Sequence, residues 1–446
     1  MRAALFLAAA VWTTPAAAEQ VLMISIDGLR PADVIEAEQR GLNIPHLRRF
    51  VREGAYATGV TGVLPTVTYP SHATLVTGAR PARHGIFSNT TFDPKQMNQG
   101  GWYWYASDIK LPTLWSAAAA AGKSVGNVHW PVSVCAAGIT WNLPQYWRSG
   151  HADDAKLLTA LATPGLVAAL ETATGESYTP GIDESIEGDE NRGRFAVKLI
   201  ETRKPEFVTA YFTALDHEQH AEGPGTAKAL AILERIDAIV GRLVAAELAA
   251  HPDAVIAIVS DHGFETISRE TNFFRAFIDA GLITLDAKGT VTGWEAMPWP
   301  TGGSVAVVLA RKADAVLEAR VGALLAQLKA TPANGIAAVA GKAEIGRMGG
   351  NPDAAFFINL APDTSAGGFS AANRPMRGTP KYKGTHGHFP TVPNLRATFM
   401  IMGKGVPKNR SLGEIDMRSI APTIAAVLGV ALPEAELAPL SQIAKP

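Results

Sequence analysis

Six side chains of metal-binding type stand out by position: Asp27, Asp216, His220, Asp261, His262 and His386 each follow an apolar run or sit in a glycine-bearing turn. Mixed carboxylate and imidazole donors suit a borderline divalent cation such as zinc. Asp216 and His220 are four residues apart, so one helical turn puts both on the same side. Asp261 and His262 are adjacent, and their side chains converge on one ion only in a loop at a strand end. His386 lies between Gly384 and Gly387, in a turn whose backbone can approach an ion closely. Each residue alone has an ordinary explanation, since an Asp after a strand commonly caps a helix. Only the six together point to a metal. His217, His251 and His388 are assigned to surface or supporting positions.

Two hydroxyls compete as nucleophile. Pro70 is suited to the first turn of a helix that would run through Thr77 and stop at Gly78. Thr68 then stands just before a helix N-terminus, where free amides and the helix dipole stabilise an anion. Ser71 lies one turn on, and the residues alone leave the two at even standing. An alcohol is a poor nucleophile until a metal lowers its pKa, so either would need the cations.

The elements that must position these groups are legible as apolar runs. Residues 21–26 end at Asp27, residues 207–212 precede Asp216, and residues 254–259 lead into Ser260-Asp261-His262-Gly263. Each reads as a buried parallel strand with a carboxylate near its C-terminal end. Residues 396–402 suggest a fourth strand. The clearest helix is 226–248, with Leu230, Leu233, Ile236, Ile239, Val240 and Leu243 on one face. This alternation predicts an α/β fold: a central, mostly parallel sheet flanked by helices, with ligands beyond the carboxyl ends of its strands. The interval 264–384 is less regular, with Gly302-Gly303, Gly349-Gly350 and a helical stretch at 313–328. It is expected to be an inserted cap within one catalytic domain formed by 19–263 and 385–446. A last core helix is expected over 416–428.

The bulk properties narrow the partners. The chain has 446 residues, 47% apolar, 18% charged, with a formal net charge of −1. That composition is globular, and the charge offers no electrostatic case for a nucleic-acid polymer or an anionic membrane surface. Arg2, an apolar run over 3–12 and Ala16-Ala17-Ala18 have the layout of a secretory signal peptide over 1–18, with Glu19 the expected mature start. The run is too short to span a bilayer, and no cysteine follows it to suggest a lipid anchor. Cys135 is the single cysteine, which excludes an intrachain disulfide and suits a bacterial periplasm. It is expected to be a small buried apolar residue.

Taken in order, these segments resemble the nucleotide pyrophosphatase/phosphodiesterase family of the alkaline phosphatase superfamily. Thr68-Tyr69-Pro70-Ser71-His72 and Thr74-Leu75-Val76-Thr77-Gly78 resemble its nucleophile motif, Thr-aromatic-Pro-Asn-His followed by Thr-hydrophobic-Val-Thr-Gly. Pro81-Ala82-Arg83-His84-Gly85-Ile86 with Asn89, Asp216 through Gly223-Pro224, Ser260-Asp261-His262-Gly263 and Gly384-Thr385-His386-Gly387 complete the set. The resemblance implies an alkaline-phosphatase-like core and Thr68 as the nucleophile. It implies two divalent ions, expected to be zinc: one held by Asp27, Asp261, His262 and the Thr68 oxygen, the other by Asp216, His220 and His386. Asn89 would donate its amide to a phosphoryl oxygen alongside the Tyr69 backbone N–H. Ser71, where the family has Asn, and His388, where it has an aromatic residue, border the pocket and bear on substrate choice.

The reaction so implied is phosphoryl transfer to Thr68, giving a phosphothreonine that water then hydrolyses. A phosphodiester is the expected substrate, nucleotide or other. Tyr69, Trp130 and Tyr146 would offer aromatic surface to its second substituent. The alternative is a phosphomonoesterase or a phosphonoacetate-type hydrolase, with Arg148 or Lys383 meeting the extra charge. A catalytically silent binding module would not need to keep all six ligands and a hydroxyl.

Overall fold

Val21–Ile26 forms the centre of an eight-stranded sheet in the computed structural model of the protein, which describes residues 19–98, 101–146, 151–369 and 374–443. Residues 1–18, with the signal segment, and Arg148 lie outside the described residues. Every residue of Val21–Ile26 is buried. That explains its unbroken apolar sequence, because a strand covered on both faces has no polar side to alternate with. Phe207–Phe212 and Val255–Val259 pair with it in parallel on either side, and Val125–Val128 and Trp141–Leu143 extend the sheet in parallel beyond Phe207–Phe212. On the other side Phe399–Met402 runs antiparallel to Val255–Val259 and is shorter than the expected fourth strand.

Helices cover both faces. Ala227–Ala250 and Ile186–Arg203 lie against one, and buried Leu233, Ile236, Ile239, Val240 and Leu243 show the face that the sequence pattern marks. Thr68–Thr77 and Ile420–Leu428 pack on the other, the latter preceded by a 3-10 turn at Met417–Ser419. Because the three central strands are parallel, Asp27, Asp216 and Asp261 all emerge at one edge of the sheet.

Between 264 and 384 the chain builds a four-stranded antiparallel sheet from Ala296–Pro300, Ser304–Leu309, Ala354–Leu360 and Ile336–Gly341. It has an apolar core of its own around Phe273, Phe277, Val307 and Ile358. A short pairing of Glu265–Thr266 with Gly384–Thr385 closes the neck of this segment. Among the described residues no single helix is long and apolar enough to cross a membrane. Cys135 is exposed, not buried as expected. It sits at φ +56 in the Ser133–Ala136 turn, where the backbone points the thiol outward instead of into the core.

Candidate active site

All six metal-type residues meet at the carboxyl edge of the sheet, and each is placed by a recognisable local device. Asp27 follows its strand directly and its N–H stays in the ladder, bonded to the Phe212 carbonyl at 2.9 Å. Its Oδ2 accepts from the Tyr211 hydroxyl, leaving Oδ1 buried without a partner. Asp261 Oδ1 accepts the Gly28 N–H at 3.1 Å, and its Oδ2 lies 3.1 Å from His262 Nε2. His262 Nε2 is also 3.4 Å from Asp27 Oδ1. Asp216 and His220 share one side of the helix Ala214–Glu222, with Asp216 Oδ2 and His220 Nε2 3.5 Å apart. His386 Nε2 is 3.6 Å from Asp216 Oδ1.

The three histidines share one orientation rule. His220 Nδ1 meets the Gly384 carbonyl at 2.9 Å, His262 Nδ1 the Gly263 carbonyl at 3.1 Å, and His386 Nδ1 the Thr66 carbonyl at 3.2 Å. A carbonyl can only accept, so each Nδ1 carries the proton and each Nε2 is left as a lone-pair donor facing the carboxylates. That is how metal-ligating histidines are commonly set.

Two donor sets are close enough for an ion. The ligand atoms of Asp216, His220 and His386 lie within 4.8 Å of one another, and so do those of Asp27, Asp216 and His262. Asp261 borders the second set through His262. Asp27 Oδ1, Asp216 Oδ1, Asp261 Oδ2 and His262 Nε2 are all buried with no hydrogen-bond partner. Buried polar atoms are normally paired, and carboxylates packed this closely repel. Burial, then the Asp216 and Asp261 charges, push the Asp27 carboxyl well above its ordinary range. Burial, then His262 and His220, push His386 well below its own, so it is held neutral as a ligand must be. Divalent cations would satisfy the orphaned atoms and relieve the repulsion, so the residues fit the metals that their types suggest.

Thr68 opens the ten-residue helix Thr68–Thr77 and lines the same cavity, of about 260 Å³, as Asp27, Asp216, His220 and His386. Ser71 is wholly buried one turn further in and is absent from that lining. The two hydroxyls left open by the sequence are thereby placed differently. Gly78 ends the helix in the left-handed region, at φ +69. His72 braces the first turn: its Nδ1 meets the Thr68 carbonyl at 2.8 Å and its Nε2 lies 2.8 Å from Ser25 Oγ.

Asn89 also lines the cavity, but it and the Tyr69 amide are not the parallel donors that the resemblance implies. The Tyr69 N–H donates to Asn89 Oδ1 at 2.9 Å. The carboxamide is thus fixed by its oxygen, and its NH₂ remains the donor for a ligand.

The aromatic wall differs from expectation. Tyr69 does line the cavity, its hydroxyl donating to Gln145 Oε1 at 3.0 Å. Trp130 does not: it is fully buried, edge-on to His72 at 4.9 Å, in the core beneath the helix Thr68–Thr77. Tyr146 is likewise in the core, its hydroxyl spent on the Asp154 carbonyl at 2.9 Å. Trp102, 5.3 Å from the Tyr69 ring, and Tyr382, 5.4 Å from His220, take their place. Both sit in loops, where no periodicity flags them. Glu184 and His217, 3.3 Å apart, complete the wall, so His217 borders the site. Lys383 turns away to pair with Glu222 at 2.6 Å. Tyr211 is a further residue not singled out from the sequence, although a polar-tipped ring five residues before Asp216, in a strand whose other polar residue is Thr209, is a usable signal. Burial, then the Asp27 charge, push its phenol well above its ordinary range, so it stays a donor.

A family model described as type I phosphodiesterase/nucleotide pyrophosphatase matches residues 21–345. Human ectonucleotide pyrophosphatase/phosphodiesterase family member 1 is 26% identical over 258 residues, 55% of this chain and 23% of that protein. Bovine bis(5′-adenosyl)-triphosphatase is 26% identical over 262 residues, 58% of this chain and 50% of that one. The aligned region thus spans half or less of these relatives. The structure of human ectonucleotide pyrophosphatase/phosphodiesterase 5 superposes with a TM-score of 0.64 at 19% identity, covering 93% of this chain and 96% of that one. An inactive threonine-to-alanine variant of the murine protein, in complex with AMP, gives 0.65 at 18%, with the same coverage. At those identities the likeness is one of fold.

Proposed function

The chain belongs to the type I phosphodiesterase/nucleotide pyrophosphatase family, and from that premise we propose that it is an exported phosphodiesterase that works through Thr68 with two divalent cations, expected to be zinc. The observation that carries the reading is the group of four buried, unpartnered atoms, Asp27 Oδ1, Asp216 Oδ1, Asp261 Oδ2 and His262 Nε2, in the site that Thr68 borders. Asp216, His220 and His386 would hold one cation, and Asp27, Asp261, His262 and the Thr68 oxygen the other. When bound, the cations supply Lewis acidity to the phosphoryl oxygens and lower the pKa of the threonine hydroxyl.

The chain's own groups do the rest. Thr68 Oγ1 forms a bond to phosphorus as the bond to the departing alcohol breaks, giving a phosphothreonine. Water then takes the phosphoryl group and returns the hydroxyl. The positive end of the helix Thr68–Thr77 favours the anion that forms beside it. The Asn89 NH₂ donates to a phosphoryl oxygen as charge builds there. Tyr69 and Trp102 offer apolar surface to the second substituent, which a nucleoside would suit. Residues 264–384 act as a cap inserted into the domain formed by 19–263 and 385–446.

Diester preference follows from charge. No Lys or Arg among the described residues lines the cavity, and Glu184 does. A monoester or phosphonate would bring a further full charge with no cationic side chain, and only Asn89 beside the metals, to meet it, costing on the order of 2 kcal/mol in the transition state. The test is elemental analysis of active protein together with turnover of bis-p-nitrophenyl phosphate against p-nitrophenyl phosphate. Two zinc ions per chain, loss of turnover on chelation, recovery with zinc and a higher kcat/KM for the diester are expected. Protein active without any transition metal, or a higher monoesterase kcat/KM, would overturn the reading. For export, mass spectrometry of periplasmic protein should give an N-terminus at or near Glu19; an intact Met1 would refute it.

A further inference from the structure

We propose that the buried ion pair Asp189–Arg192, which touches no substrate and no metal-type residue, is a positioning device that sets the Asp216–His220–His386 metal site. The inference rests on the metal reading above. Both side chains are fully buried, three residues apart on the helix Ile186–Arg203. A pair this deep loses so much hydration that well-packed apolar residues often serve stability as well or better. Its bonds, however, all run to the segments that frame the site.

Asp189 acts on the helix that carries two of the ligands. Its Oδ1 accepts the Thr213 N–H at 3.0 Å and its Oδ2 accepts the Ala214 N–H at 2.9 Å. These are the leading amides of the helix Ala214–Glu222, whose own N-cap residue, Thr213, makes no side-chain capping bond. The Thr213 hydroxyl is engaged elsewhere, accepting from Arg192 Nη2 at 2.7 Å. A carboxylate from another helix has therefore taken over the capping role, where negative charge also favours the helix dipole. Asp216 follows Ala214 by two residues and His220 by six, so the rotation and depth of this first turn decide where both ligand atoms fall.

Arg192 acts on the loop beside that helix. Its Nη1 donates to the carbonyls of Gly181 and Asp183, both at 2.6 Å. Asp183 leads directly into Glu184, which lines the cavity and lies 3.3 Å from His217 on the ligand helix. One ion pair thus ties the helix supplying Asp216 and His220 to the loop supplying Glu184. Metal sites tolerate little displacement, and outer partners that orient ligands typically carry about 10–100-fold in metal affinity.

The test is zinc titration of the metal-stripped, full-length protein against a competing chelator, for wild type and Asp189→Asn, Arg192→Met, Arg192→Lys and Thr213→Val. Thr213→Val keeps the volume and removes one bond to Arg192, so it reports even if the charge variants fail to fold. Asp189→Asn and Arg192→Met should weaken one of two zinc sites by about 10–100-fold and leave the other unchanged. Thr213→Val should weaken the same site by less, and Arg192→Lys should recover part of the loss seen with Met. In a His220→Gln background, which removes a ligand from that site, Thr213→Val should leave the remaining zinc affinity unaltered. Equal weakening of both sites, or no change in either, would overturn the proposal, because a purely structural pair has no reason to discriminate. Wild type that binds no zinc would bring down the metal reading, and this inference with it; wild type that binds two would leave that reading standing whatever the variants do.

Discussion

At the scale of single residues, Thr68 and Ser71 show what a sequence holds and what it does not. Both are hydroxyls near one helix start, and residue type cannot separate them. Burial can: Thr68 borders the cavity, whereas Ser71 is enclosed. Thr68→Ala should lower kcat by roughly 10⁴-fold or more with fold and zinc content largely kept, while Ser71→Ala should change kcat little. Steady-state kinetics with zinc analysis decides, and the reverse order would move the nucleophile into the helix. The metal-type residues were legible because Asp27, Asp261 and His262 closely follow apolar strands, Asp216 and His220 stand one helical turn apart shortly after another, and His386 occupies a glycine turn, features that survive in one dimension. The aromatic wall was not. Trp130 and Tyr146 have the composition of a ligand-stacking surface, but so does any core aromatic, and Trp130 serves to pack against His72. Tyr211 offers a further check. With its hydroxyl removed in Tyr211→Phe, Asp27 Oδ2 joins the unpartnered atoms, so zinc affinity should fall about tenfold in a chelator competition assay while secondary structure is unchanged by circular dichroism.

At the scale of elements, the parallel strands and the long amphipathic helix follow from period and burial, so the core was readable. The way the 264–384 segment supports His386 was not. Gly302-Gly303 and Gly384 to Gly387 both read as irregular turns, and nothing in one predicts the other more than eighty residues away. In the fold they interlock. The Gly303 N–H donates to the His386 carbonyl at 2.7 Å, and Ser304 Oγ bonds the Gly387 carbonyl. A Cβ on Gly387, at φ +93, would meet the Thr301 carbonyl oxygen at 1.7 Å; one on Gly303 would meet the His388 ring at 2.1 Å. The turn that delivers His386 is therefore shaped by direct backbone contact with the turn joining Ala296–Pro300 to Ser304–Leu309 in the four-stranded sheet. Gly387→Ala should push that turn away and lower zinc occupancy at the site holding His386, together with activity. Gly405→Ala is the control, since Gly405 has a similar φ of +77 but open space around it. Equal zinc content in the two variants would mean that the contact does not position His386.

At the scale of the whole molecule, acidic and basic residues nearly cancel, at 41 Asp and Glu against 40 Lys and Arg. General charge repulsion is then small near neutrality, and the pH dependence of stability falls to individual buried groups. Glu247 is one that lies away from the metal-type residues. It sits near the end of the helix Ala227–Ala250, fully buried, with neither carboxylate oxygen partnered. Burial pushes its pKa up to about 7 from an ordinary 4.5. The folded state therefore holds this proton more tightly than the unfolded chain does. The associated penalty is absent below the unfolded value, grows as pH rises from about 4.5, and is complete above about 7. Its ceiling is on the order of 3 kcal/mol. Glu247→Gln removes the ionisation and keeps the shape, so zinc-loaded variant should melt above zinc-loaded wild type at pH 8.5, with the gap closing by pH 5. Calorimetric melting at both pH values measures this directly. A gap that is the same at both, or that widens toward acid, would mean that Glu247 gains a partner in solution and does not bear an uncompensated charge.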